Sequence, residues 1–204
     1  MQIAASDALD LSQEDESTKQ MYGLDSDLTR SFGTRCLMAR RLVERGVRFV
    51  QIFIEDQIWE SHTNLDKGLR YSCGKTDRPT EALLKDLKRR GLLDETLVIW
   101  GAEFGRLPLG QVDPNDVASL GRDHGPNGFT LLLAGGGIKG GTVHGATDEL
   151  GNHAVEDRVS VHDSHATVLD LLEMNFRDLV YRRHGLDERL ADQFPARVVR
   201  ELIA

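Results

Sequence analysis

Cysteine is scarce in this chain: Cys36 and Cys73 are the two in 204 residues. Two thiols build no disulfide framework, and no CxxC pair or Cys/His zinc spacing accompanies them. Cys36 falls on the expected buried side of a helix, where a thiol behaves as a small hydrophobe. No run of about 18 apolar residues exists, so no segment reads as membrane-spanning and no membrane partner is expected. An excess of basic residues is missing too. The net charge of -8 argues against a nucleic-acid partner held by phosphate contacts. The start, "MQIAASDALDLSQEDESTKQ", has neither the basic nor the apolar region of a signal peptide and reads as an acidic mobile arm, assigned to residues 1–27. Repeats and low-complexity tracts are absent, as are the phosphate-loop patterns GxxxxGK[ST] and GxGxxG. The glycines of "LAGGGIKGGTVHGATDE" are therefore expected to serve tight turns.

What is present is an ordinary globular composition, 40% hydrophobic and 28% charged, long enough for one domain, assigned to residues 28–204. From Leu28 to Arg45 the residues Phe32, Cys36, Leu37, Leu42 and Val43 recur at helical spacing, and Gly46 is placed to end the helix. "VRFVQIFIE" (Val47 to Glu55) has the composition and length of a strand. "PTEALLKDLKRRG" predicts a helix opening at Pro79 and Thr80 and closing at Gly91. "ETLVIWGAEF" and "GFTLLLAGGG" (Gly128 to Gly137) predict two more strands, and "SVHDSHATVLDLLEM" a last helix from about Ser160. Apolar strands alternating with helices predict an α/β fold, a mostly parallel sheet sandwiched by helices, with its functional crevice at the carboxyl ends of the strands.

Acids and histidines near those strand ends form a short set. Glu60 and His62 lie in "WESHTN" and Glu103 in "WGAEFGR"; Asp123 and His124 lie in "GRDHGPNG". Carboxylates and imidazoles converging from separate loops are what a divalent metal requires. Each alone reads equally well as a structural polar residue. His162 and His165 share a helix face, yet with Asp163 and Ser164 they read more simply as helix-start residues than as ligands. His144, His153 and His184 read as solvated. Arg106 offers a fork of donors for an anionic group or for a salt bridge to a neighbouring carboxylate.

The segments "GLLDETLVIWGAEFGR", "GRDHGPNGFTLLLAGGGIKGGTVHGATDE", "VSVHDSHATVLDLLEM" and "FGTRCLMARRLVERGVRFVQIF" resemble the bacterial proteins grouped as domain of unknown function 1501, in their carboxyl-terminal half. That family is in turn similar to sulfatases and alkaline phosphatases. The resemblance implies an incomplete alkaline phosphatase-like sheet and a metal-dependent hydrolase of sulfate or phosphate esters, with a small anionic ester as substrate. It implies Glu60, His62, Glu103 and His124 as ligands of a divalent metal, zinc or calcium, with Asp123 orienting His124. Phe104 follows Glu103 where the superfamily has a second ligand, and Glu60 replaces an aspartate. The superfamily's nucleophile is not matched in this chain, and Cys73 lacks the C-x-P-x-R context. Relatives carry an export signal and are periplasmic; this chain reads as a truncated member. Two expectations accompany that reading: a non-catalytic binding or structural role as the alternative function, and self-association through an exposed sheet edge.

Overall fold

The computed structural model describes residues 7–113, 115–191 and 194–204, and the main chain alone at 111–113, 117 and 118. The α-helices are α1 (Glu16–Met21), α2 (Arg30–Glu44), α3 (Leu65–Arg89) and α4 (Val161–Leu171). The strands are β1 (Val98–Trp100), β2 (Gly105–Asp113), β3 (Asp116–Gly125), β4 (Leu132–Ala134), β5 (Ala146–Thr147), β6 (Ala154–Glu156), β7 (Val180–Arg183) and β8 (Leu186–Arg189). Within the stretch expected as one domain, contacts gather into two compact units. The first comprises Met1–Thr96 with Arg106–His124, the second Leu97–Gly105 with Gly125–Ala204.

The first unit is organised by α2 and α3. On α2 the buried residues Phe32, Cys36, Leu37, Ala39 and Arg40 follow the helical period, and the chain leaves the helix through Gly46 at φ +80°. On α3 the buried stripe runs Ser72, Lys75, Thr76, Pro79, Ala82, Leu83, Asp86, Leu87. Half of that stripe is polar, which explains why an apolar search finds only its second half. The helix was expected to open at Pro79; it opens at Leu65, and Pro79 lies inside it, buried. A proline there removes one main-chain bond, but its ring fills the stripe. The expected closure at Gly91 stands, with φ +70°.

A buried ionic knot joins these helices to the amino-terminal segment. The Arg40 side chain, 1% exposed, lies 2.6 Å from Glu14, 2.8 Å from Glu44 and 3.0 Å from Asp86, which is itself fully buried. Arg41 reaches Glu14 and the Ala8 carbonyl, and the Tyr22 hydroxyl donates to Asp86 at 3.2 Å. The Arg40 Nε sits close to Asp86 without aiming its hydrogen at it, so that contact is an ion pair and not a hydrogen bond. Burial alone pushes the Glu14 and Asp86 carboxyls up. The arginines around them outweigh it and hold both below the ordinary range. The acidic arm expected over 1–27 is thus docked from residue 7 onward: Asp15 caps α1 through the Thr18 amide at 2.6 Å, and Ala8 and Tyr22 are fully buried. Residues 1–6 lie outside the described residues.

The expected parallel sheet sandwiched by helices is not formed. Strands pair two by two, β1 with β4, β2 with β3, β5 with β6 and β7 with β8, and the pairs β1–β4, β5–β6 and β7–β8 are antiparallel. Parallel neighbours need a crossover, usually a helix. Between β1 and β4 the chain instead makes the β2–β3 ribbon, and the two apolar runs meet antiparallel, Val98 opposite Ala134 and Trp100 opposite Leu132. Ile99 and Leu132 are 47% and 60% exposed, so this pair is not covered on both faces. The Val47–Glu55 run joins no strand.

In the second unit the last helix begins as expected. Ser160 and Asp163 form a reciprocal capping box, and Asp163 also accepts from the Arg197 amide at 2.8 Å. Ala166, Thr167, Phe176 and Val199 make a small core. No helix among the described residues is long and apolar enough to cross a membrane.

Candidate metal centre

Three of the four expected ligands meet within the first unit. Glu60 and His62 lie on the loop entering α3, and His124 lies on β3. Their ligand atoms, one carboxylate oxygen and two imidazole nitrogens, lie within 4.8 Å of one another. Strand ends of a parallel sheet do not bring them there. The loop is instead laid along β3 by main-chain bonds: the Arg122 amide donates to the Ser61 carbonyl at 2.7 Å, and the Asn64 amide to the Ser119 carbonyl at 3.0 Å. Gly121 makes this approach feasible, because a Cβ at that position would collide with the His62 carbonyl. Asn64, in the left-handed region at φ 52°, turns the chain from the loop into α3, a conformation Asn tolerates better than most residues.

Glu60 Oε1 is the hub. His62 Nε2 lies 2.6 Å from it, His124 Nε2 3.2 Å and Arg106 Nη1 3.0 Å. The Arg106 hydrogen bond holds the Glu60 carboxyl down at about 2; partial burial opposes this, and the His124 hydrogen bond and the His62 charge assist it. An ionised carboxylate only accepts, so the His124 ring presents Nε2–H to it. The two rings lie 4.9 Å apart, tilted by 43°. Asp123 Oδ1 accepts from the His124 amide at 2.7 Å and lies 3.8 Å from His62 Nδ1. It therefore holds the His124 main chain and faces the His62 ring.

Arg106, expected as an anion binder or as a salt-bridge partner, takes the second role. Besides Glu60 it donates to the Trp59 carbonyl at 2.9 Å and the Arg122 carbonyl at 3.4 Å. That clamp from β2 ties the loop to β3. β2 and β3 carry weak strand signals in the sequence, since Pro108, Gly110 and Gly121 are residues that strands ordinarily exclude. Glu103, the fourth expected ligand, follows β1 in the second unit, where it is exposed. His162 stacks near Phe194, ring centroids 4.9 Å apart, and His165 Nδ1 lies 2.8 Å from the Val161 carbonyl of its own helix.

The donor set can be tested for fit. Two ligands on a tetrahedral zinc with bonds of about 2.0–2.2 Å stand about 3.3–3.5 Å apart. The Glu60–His124 separation of 3.2 Å matches this. The Glu60–His62 separation of 2.6 Å opens by less than an ångström with a small rotation of either half-exposed side chain. Two imidazoles and one carboxylate suit zinc better than calcium, which takes oxygen ligands.

A family model described as "Protein of unknown function (DUF1501)" matches residues 1–203, and the chain belongs to that family. No curated protein and no solved structure matches the chain.

Proposed function

We propose that Glu60, His62 and His124 hold a divalent cation, with zinc favoured by the donor set, and that the site serves hydrolysis of a sulfate or phosphate ester. The observation that supports this is the convergence of one carboxylate oxygen and two imidazole nitrogens within 4.8 Å, together with the resemblance of the surrounding motifs to sulfatases and alkaline phosphatases. A bound ion would polarise the ester and stabilise charge on the attacking or leaving oxygen. This chain's own residues orient the ligands: Arg106 fixes Glu60 and keeps it ionised, and Asp123 faces His62 as outer-shell partners do. Metal ligands bind in their deprotonated forms, so affinity is expected to fall as pH is lowered.

A second reading, binding without catalysis, is favoured by Ser61. It lies between two of the ligands, is 2% exposed and gives its hydroxyl proton to the Trp59 carbonyl at 3.2 Å, so it is no poised nucleophile. Zinc titration calorimetry on the chain and on the His62→Ala, His124→Ala double variant tests the cation. The variant is expected to lose more than the roughly 10–100-fold typical of outer-shell changes; equal binding by both rejects the site. Turnover of aryl sulfate and aryl phosphate by the zinc-loaded chain then separates the readings, since binding without turnover favours the second.

A further inference from the structure

The Val47–Glu55 run has every property of a strand except a partner. Residues 49–54 run straight, and exposure alternates along them: Phe49, Gln51 and Phe53 face outward, while Val50, Ile52 and Ile54 are half-buried. Phe49 and Phe53 are 73% and 68% exposed. Among the described residues, one main-chain group of 48–54 has a hydrogen-bond partner, the Phe53 carbonyl, which accepts from Arg35 Nη1 at 2.6 Å. Unpaired edges of this composition are templates for another strand.

We propose that residues 48–54 pair antiparallel with the same residues of a second copy of this chain, making a two-fold symmetric dimer. Three features select that occupant. The run is a palindrome by residue class, Phe49-Val50-Gln51-Ile52-Phe53, centred on Gln51. Antiparallel pairing about Gln51 therefore sets Phe49 opposite Phe53 and Val50 opposite Ile52, exposed face on exposed face; a one-residue slip would mix the faces. The ends carry opposite charge, Arg48 at one and Asp56 at the other, Glu55 being already paired with Arg35 and Lys75 of its own chain. Antiparallel pairing brings Arg48 beside the acidic end of the other copy, whereas parallel pairing stacks like on like.

The third feature is the edge. In a strand the main-chain groups of alternate residues point to opposite edges, and Arg35 occupies the edge of residues 49, 51 and 53. The copy pairs through the edge of residues 48, 50, 52 and 54. Gln51 then faces Gln51 as a non-hydrogen-bonded pair, with Cα atoms about 4.5 Å apart, inside the range of about 4.4–6.8 Å that a disulfide spans.

The test is sedimentation velocity over a concentration series, combined with oxidative cross-linking of Gln51→Cys in a Cys73→Ser background. Cys36 is buried and its thiol is pushed up to about 12 by that burial, so it does not compete. Val143→Cys, at a site 96% exposed, is the control for random collision. The expected result is a concentration-dependent dimer, rapid cross-linking at position 51 over the control, and a monomer of unchanged helicity for Phe49→Glu, Phe53→Glu. A monomer at every concentration overturns the proposal, as does cross-linking at the control rate or a dimer that survives the double glutamate. A monomer with residues 50 and 52 protected from amide exchange overturns it too, by placing a strand of the same chain on that edge.

Discussion

The first unit contains two charge clusters built to the same plan, a carboxylate shared among several positive or donor groups. Around Arg40 the plan is buried, with Asp86 fully enclosed and Arg40 1% exposed. Around Glu60 it is open: Glu60, His62 and His124 are 33%, 36% and 44% exposed. Burial decides what each is for. A buried charge that loses its partner has no water to fall back on, so the first cluster fixes how α2, α3 and the amino-terminal segment sit together. The second is open to solvent, and exposed pairs of this kind contribute little to holding the fold.

The largest expected effect that sharpens this contrast is Asp86→Ala. It strips Tyr22, Arg89 and Arg90 of a shared acceptor and Arg40 of an ion-pair partner, and is expected to cost about 3–5 kcal/mol, read as a fall in urea midpoint. A loss below about 1 kcal/mol would break the comparison. Next is Gly121→Ala, where the new methyl meets the His62 carbonyl and the loop must move off β3. We expect a cost of about 1–3 kcal/mol with the zinc affinity of the chain reduced; unchanged affinity would show that the loop does not depend on that approach.

Acid titration follows. Glu14 and Asp86 have native values below their ordinary ones. Their contribution is therefore full above the ordinary carboxylate range, about pH 4, and is lost as pH falls through the lowered native values. Stability should stay flat on this account from neutral to about pH 4.5 and then decline, the decline shrinking in Asp86→Ala. The smallest effect is Glu60→Gln. Removing the hub charge of the open cluster should leave the unfolding midpoint in place while zinc affinity drops; a large destabilisation would make that cluster structural.

Local signals survived into the structure where they are local in origin. Gly46 and Gly91 end helices because the left-handed conformation there suits glycine, and Ser160 with Asp163 opens α4 by bonds within four residues. Family membership was legible as well, since motif residues keep their order whatever the packing. Of the candidate ligands, Glu60, His62 and His124 come together, but not by the geometry expected of them. They were placed at strand ends, whereas a loop laid on β3 unites them.

What the sequence determined by itself is thus the closure of two helices at Gly46 and Gly91, the start of α4 at Ser160 and the acidic net charge. The tertiary structure alone decided which apolar run pairs with which, that α3 begins fourteen residues before Pro79, and that Arg40 is interior. The reason is physical. Caps and turns are settled by neighbours along the chain, whereas pairing and burial depend on partners distant in sequence. A stripe such as Ser72, Lys75, Thr76 and Asp86 becomes interior only when another segment supplies its counter-charges and acceptors.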